Sequence, residues 1–228
     1  MESGSSGSGS TTVFNPEVGS SYRNGWNQLW KNFGMLLVIG IAYFILGSVF
    51  SVANWIQNGF YSTNITTLDW VGIIYSIFFI TPLGLGVFYA YLKAARGEKP
   101  EFADMFKAFG NYPAAVIAPV ISGIIVGIGT LFFIIPGIYL ACKLAFVPLA
   151  VVDKKKGPFE AIGESWQMSD GFAMDVFLIG LLAIPIFIAG AIVFGVGIII
   201  SYMWVYLALA SLYHSIDIHK GGAGQPTI

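Results

Sequence analysis

Ile135-Pro-Gly-Ile-Tyr-Leu-Ala-Cys-Lys-Leu-Ala-Phe-Val-Pro-Leu-Ala-Val-Val-Asp153 carries one charge, Lys143, before its terminal aspartate. A lysine at the centre of a membrane span costs roughly 2.5–3.5 kcal/mol on insertion scales, so it must find a partner, reach water or have a task. Five more apolar segments surround this one, and the spans read from sequence are 35–55, 70–92, 112–135, 136–152, 172–194 and 195–217. About 20 residues at 1.5 Å rise cross a hydrocarbon core about 30 Å thick, so five of them are long enough outright. The fourth is short, and the Pro136-Gly137 pair at its start suits a tight turn after the third. A re-entrant hairpin is the alternative at this point. The fold class is all-α and integral to a membrane.

Composition agrees. Hydrophobic residues make up 56% of the 228-residue chain and charged residues 10%, against about 25% charged in soluble domains. A chain of this length cannot hide so much apolar surface from water, so lipid must solvate it. Cys142 is the one cysteine, which excludes an intrachain disulfide. Residues 1–14, opening in a Gly/Ser run, read as a flexible tag or linker, 15–220 as one six-span domain, and the Gly-containing 221–228 as a disordered tail.

The net charge of −1 hides an asymmetry. Arg23, Lys31, Lys93, Arg96, Lys99, Lys107, Lys154, Lys155, Lys156 and Lys220 all fall on one side of the spans, and the 56–69 loop opposite has no Lys or Arg. The positive-inside rule then places both termini in the cytoplasm, with the protein in the plasma or inner membrane. Asn64 begins a glycosylation triplet in the outer loop, a pattern too common by chance to carry weight.

Three amphipathic stretches lie at the basic side. Tyr22, Trp26, Leu29, Trp30 and Phe33 recur at helical spacing, as do Phe102, Met105, Phe106 and Phe109, and then Phe159, Ile162 and Trp166. They read as short helices in the cytoplasmic interface, with Trp26, Trp30, Phe102, Phe106, Phe159 and Trp166 as anchors at headgroup depth. Each is followed by two spans, giving units of about 20–98, 99–156 and 157–220. An even number of crossings makes such repeats parallel, and a pseudo-threefold arrangement follows as an expectation. Mitochondrial carriers also triplicate a two-span unit, but their surface helix lies between the spans. Their Pro-x-Asp/Glu-x-x-Lys/Arg signature is missing at Pro113, Pro136 and Pro185.

Trp26-Asn-Gln-Leu-Trp-Lys-Asn-Phe-Gly34, Ala94-Ala-Arg-Gly-Glu-Lys-Pro-Glu-Phe-Ala-Asp-Met-Phe-Lys-Ala-Phe109, the opening stretch 135–153 and Gly157-Pro-Phe-Glu-Ala-Ile-Gly-Glu-Ser-Trp166 together resemble a broad prokaryotic group of six-span proteins. That group includes the YciC-like proteins and the membrane domain sometimes fused to glycerophosphoryl diester phosphodiesterases. The resemblance implies the same six-span fold. It implies no activity, because the group has no agreed one and the phosphodiesterase domain is absent here.

Catalytic constellations are missing from the sequence. His214 and His219 are five residues apart, on different helix faces, with no cysteine or further histidine at metal-ligand spacing. Gly163-Glu-Ser-Trp-Gln lacks the glycines of a nucleophile elbow, and no phosphate-binding Gly-rich loop occurs. The reading is therefore a protein that is not an enzyme and needs no cofactor or metal. Asp69, Asp153, Asp170 and Asp217 fall at span ends, where solvated carboxylates are ordinary. Lys143, placed near mid-membrane, has Asp175 as its expected partner and Tyr139, Ser122 and Ser201 as nearby hydroxyls. These form the candidate intramembrane polar site.

Pro82, Pro119, Pro148 and Pro185 interrupt spans, and Gly123 and Gly127 give the third span a small-residue packing face. The expected partners are anionic lipid headgroups at the cytoplasmic face and a protein partner or second copy, with no nucleic acid. Two function classes follow. One is a non-catalytic membrane organiser or assembly partner; the alternative is a transporter of anions, small solutes or lipids with a cavity at Lys143.

Overall fold

The computed structural model describes residues 15–58, 67–192 and 196–223. Among them the secondary structure is helical with no strand, and six helical stretches are long and apolar enough to cross a membrane: Val18–Val49, Asp69–Ala95, Phe102–Phe132, Ile134–Asp153, Ala173–Ile192 and Gly197–Gly221. These correspond to the six spans read from sequence. Residues 1–14, most of the 56–69 loop with Asn64, and 224–228 lie outside the described residues.

The first amphipathic stretch and the first span form one rod, α1 (Val18–Asn58), kinked at Asn32, where φ is −116° and ψ 15°. The Asn32 side-chain amide donates to the Gln28 carbonyl at 3.2 Å, competing with the backbone ladder at the bend. The second span is α2 (Thr67–Tyr75), a π-helical turn (Ser76–Ile80) and α3 (Thr81–Ala95). Pro82 has no N–H to give the Phe78 carbonyl four residues back, and the Tyr112 hydroxyl donates to that carbonyl at 2.9 Å. The proline interruption is thus repaired from the third span. The second amphipathic stretch is 3-10 rather than α (Phe102–Asn111), and it lies on α3 at Gly86, where any Cβ would strike the Met105 backbone.

The third and fourth spans form a hairpin of α4 (Tyr112–Phe132) and α5 (Ile134–Leu144). Its turn is Phe133, not Pro136-Gly137 as the sequence suggests. Phe133 alone is extended; its N–H reaches the Gly129 carbonyl at 3.1 Å and its carbonyl accepts from Gly137 N–H at 3.2 Å. Pro136 falls instead in the first turn of α5, where a missing N–H costs little. Gly137 is needed where it is, because a Cβ there would meet Thr130 of α4. Leu131 to Ile135, at the tip, are each 70–85% exposed.

The fourth span is broken before it ends, continuing as α6 (Val147–Asp153) with Pro148 in its first turn. The third amphipathic stretch is α7 (Pro158–Met168), and α8 (Ala173–Ile192) and α9 (Val196–Ala223) complete the bundle. α9 continues into the tail expected to be disordered. α8 and α9 approach closely at Gly190 and Gly197, and Ser201 Oγ donates to the Ile186 carbonyl at 2.9 Å.

One buried cluster joins α1, α3 and α9 through Leu29, Leu36, Leu83, Leu92, Leu207 and Tyr213, and a second joins α4, α6 and α7 through Ala114, Ala118, Val147, Val151 and Ala161. Phe44, Leu131 and Ile192 point outward, as expected of side chains solvated by lipid. Gly123 and Gly127 pack nothing: a Cβ at either would find no atom within 4 Å. The intramolecular close approaches fall at Gly25, Gly86, Gly129, Gly137, Gly190 and Gly197 instead.

Candidate functional site

Lys143 is 3% exposed and pairs with the Asp170 carboxylate, not with Asp175. The reason is local. α7 ends at Met168, and Gly171 takes φ 85°, a left-handed conformation that glycine adopts freely, so the chain turns back with Asp170 over the lysine. Asp175 is already inside the first turn of α8. The Lys143 ammonium lies 5.4 Å from the Trp166 ring centre and 5.7 Å from that of Tyr139, both within cation–π range. Tyr139 thus lies beside Lys143, whereas Ser201 bonds Ile186 and the buried Ser122 hydroxyl has no protein partner.

The same lysine marks a splice in the fourth span. With α5 ending at Leu144, the Lys143 carbonyl loses its helical donor, and it accepts from Ser165 Oγ at 2.8 Å and Ser169 Oγ at 3.3 Å. Ser165 Oγ in turn accepts from Phe146 N–H at 3.1 Å. These two serines, four residues apart on one face of α7, thus satisfy the polar groups that a broken helix exposes in an apolar setting. The charge does not rest at mid-membrane. It runs to the α7–α8 turn, where Asp170 is 61% exposed and the Gln167 and Asp170 carbonyls also accept from Lys220.

A chain of ion pairs continues across the basic end. Arg96 holds Asp153 in a two-pronged bond, 2.7 Å on each arm, and the Tyr213 hydroxyl donates to the same carboxylate at 3.3 Å. Lys154 bridges Glu164 at 2.5 Å and Asp217 at 2.8 Å, and Lys93 holds Asp104 at 3.0 Å. The groups at the basic ends of spans two, four and six are tied in sequence by Arg96–Asp153 and Lys154–Asp217. Asn24 adds a neutral link, donating to the Ala95 carbonyl at 3.0 Å and to Ser211 Oγ at 2.9 Å.

Partial burial works against the charges of Arg96 and Lys154, but the hydrogen bonds and charges of Asp153, and of Asp217 and Glu164, outweigh it and raise both above their ordinary values. The Lys143 hydrogen bond holds the Asp170 carboxyl below the ordinary carboxylate value. The sequence reading treated these acids as solvated span ends; the structure pairs Asp153, Asp170 and Asp217.

The six aromatic residues expected to act as anchors are exposed: Trp26, Trp30, Phe102, Phe106, Phe159 and Trp166. Tyr22 and Leu29, placed on the same face by periodicity, instead turn into the bundle, where the Tyr22 hydroxyl donates to the Ile179 carbonyl at 2.8 Å. Arg23, Lys31, Lys99, Lys107 and Lys155 remain exposed at the basic end. Among the described residues, no group of three or more His, Cys, Asp or Glu side chains is placed to hold a metal. Comparison with known proteins finds no matching family model, curated protein or solved structure.

Proposed function

We propose that this chain is a non-catalytic membrane organiser or assembly partner of the plasma membrane, with both termini in the cytoplasm. The observation that carries the reading is the use made of Lys143. Its ammonium is taken up by Asp170 and two aromatic rings, and its carbonyl by two serines, so the lysine inside the fourth span serves as a structural joint. A transport residue has to exchange partners with a solute, whereas this one is committed on every side. The resemblance to YciC-like proteins supports the six-span, activity-free reading. The three-unit organisation is part of the proposal; in each pair of spans the second is the more buried.

Exposed Arg23, Lys31, Lys99, Lys107 and Lys155, with the exposed aromatic anchors, give the cytoplasmic face its affinity for anionic headgroups, worth about 1 kcal/mol per basic residue near the surface. The exposed, unpacked Gly123/Gly127 face of α4 remains for a protein partner or a second copy.

Wild type and Lys143→Met, reconstituted in liposomes, test the reading with a panel of anions and fluorescent lipids. The expected result is no flux from either protein, with a lowered unfolding midpoint for the variant. Flux by wild type that disappears in a folded Lys143→Met protein overturns it.

A further inference from the structure

Between α1, α3 and α9 lies a cavity of about 440 Å³, within the roughly 300–1,000 Å³ typical of small-molecule sites. Val87, Tyr91 and Met203 form its buried floor, and Ile41, Phe44 and Ile198 are exposed at its mouth, on the side that faces lipid. The lining is almost wholly apolar apart from the hydroxyls of Tyr43, Tyr91 and Tyr202. Tyr91 is 2% exposed, and its hydroxyl is buried without a hydrogen-bond partner. A buried hydroxyl left unpaired is costly, so a groove that contains one is shaped for an occupant bearing an acceptor. A smaller cavity of about 20 Å³ adjoins, bordered by Tyr91 together with Tyr43, Tyr202 and Tyr206.

We propose that this groove binds one acyl chain of a membrane glycerolipid, with the ester carbonyl of that chain accepting a hydrogen bond from the tyrosine cluster at Tyr91. Depth decides the occupant. Ala95 is level with Asn24 and Ser211 in the polar layer at the basic end, through the two Asn24 hydrogen bonds. Tyr91 stands four residues before Ala95, about 6 Å deeper at 1.5 Å per residue, where a lipid's ester groups meet its hydrocarbon. Ile198 is 13 residues before Ser211 on α9, about 20 Å from the polar layer, so the groove runs in the direction of an acyl chain. Exposed Lys31, on the cavity-forming helix α1 and nearer the basic end than Gly40, favours an anionic headgroup.

The site needs only the membrane setting and stands apart from the organiser role. Its test uses full-length protein in detergent, titrated with dioleoyl phosphatidylglycerol and with the diether analogue of the same chains, with bound lipid counted by native mass spectrometry. Wild type is expected to bind the ester lipid about three- to tenfold more tightly than the ether, the value of one hydrogen bond. Tyr91→Phe, which keeps the ring, abolishes that preference, and Ile41→Trp, which fills the mouth, reduces the binding of both lipids at least tenfold. Equal affinity of wild type for ester and ether overturns the proposal, as does an unchanged preference in Tyr91→Phe. If Ile41→Trp fails to fold, the two lipids against wild type and Tyr91→Phe still decide.

Discussion

Replacing Asp153 by alanine removes the carboxylate that joins spans two and four and that also accepts from span six. The Arg96 and Asp153 side chains are 20% and 12% exposed, and both arms of their bond measure 2.7 Å. Breaking a fully buried pair costs about 3–5 kcal/mol, whereas exposed pairs are worth about 0.2–1 kcal/mol. With part of the guanidinium still wet, the expected loss lies between these, at about 2–3 kcal/mol. The buried Tyr213 hydroxyl also loses its acceptor, and that adds about 1 kcal/mol.

Arg96→Met alone strands the carboxylate as Asp153→Ala strands the guanidinium, but Arg96→Met with Asp153→Ala removes both charges and recovers much of the loss. Unfolding by SDS in mixed micelles, followed by circular dichroism, measures all corners of the cycle. A coupling of at least about 1.5 kcal/mol is expected, since residues in one ion-pair network typically couple by about 0.5–3 kcal/mol. Coupling below about 0.5 kcal/mol, with single variants that unfold like wild type, refutes the view that this pair holds the basic end together.

Acid probes the Lys143–Asp170 link. The Asp170 carboxyl is held below its ordinary value by Lys143, so its contribution is full above the unfolded-state pKa of about 3.9 and is lost as pH falls through the lower folded value. The midpoint difference between wild type and Asp170→Asn should therefore stay constant from pH 7 to about 5 and shrink only below about 4. Two glycines give opposite outcomes in thermal unfolding. Gly86→Ala drives a methyl into the Met105 backbone and costs at least the 1–3 kcal/mol (approximately) of overpacking, while Gly123→Ala meets no atom within 4 Å and gains about 0.5–1 kcal/mol in helix propensity.

The spans were legible because length and hydropathy are properties of contiguous sequence. Placing a break or a partner requires knowing what lies opposite. Pro136-Gly137 carries a turn signal, yet a proline is equally at home in a first helical turn, and the extended residue fell at Phe133, which carries no signal at all. Gly123 and Gly127 have the spacing of a packing motif, but the neighbour that would use it is α5, and that helix crosses at Gly129 and Gly137.

Lys143 reads from sequence as a charge needing a partner. Its partner was missed because Asp170 reads as an ordinary loop acid. A signal was available in α7: Ser165 and Ser169 recur on one face just before Asp170-Gly171, an arrangement suited to capping a broken neighbour. The Arg96–Asp153 pair had no comparable signal, since 57 residues separate two groups that topology alone brings together.

The turn at Phe133 bears on how the protein enters the bilayer. Both backbone groups of that residue are bonded within the hairpin, and the residues flanking it are apolar. The side chains at the tip are apolar, so the α4–α5 turn asks water to satisfy only the free carbonyls and N–H groups of the two helix ends. The 56–69 connection, with Gln57, Asn58, Asn64 and Asp69, has polar side chains to carry across hydrocarbon as well. The first pair of spans therefore has the larger polar load to bring across the bilayer, and the second pair the smaller.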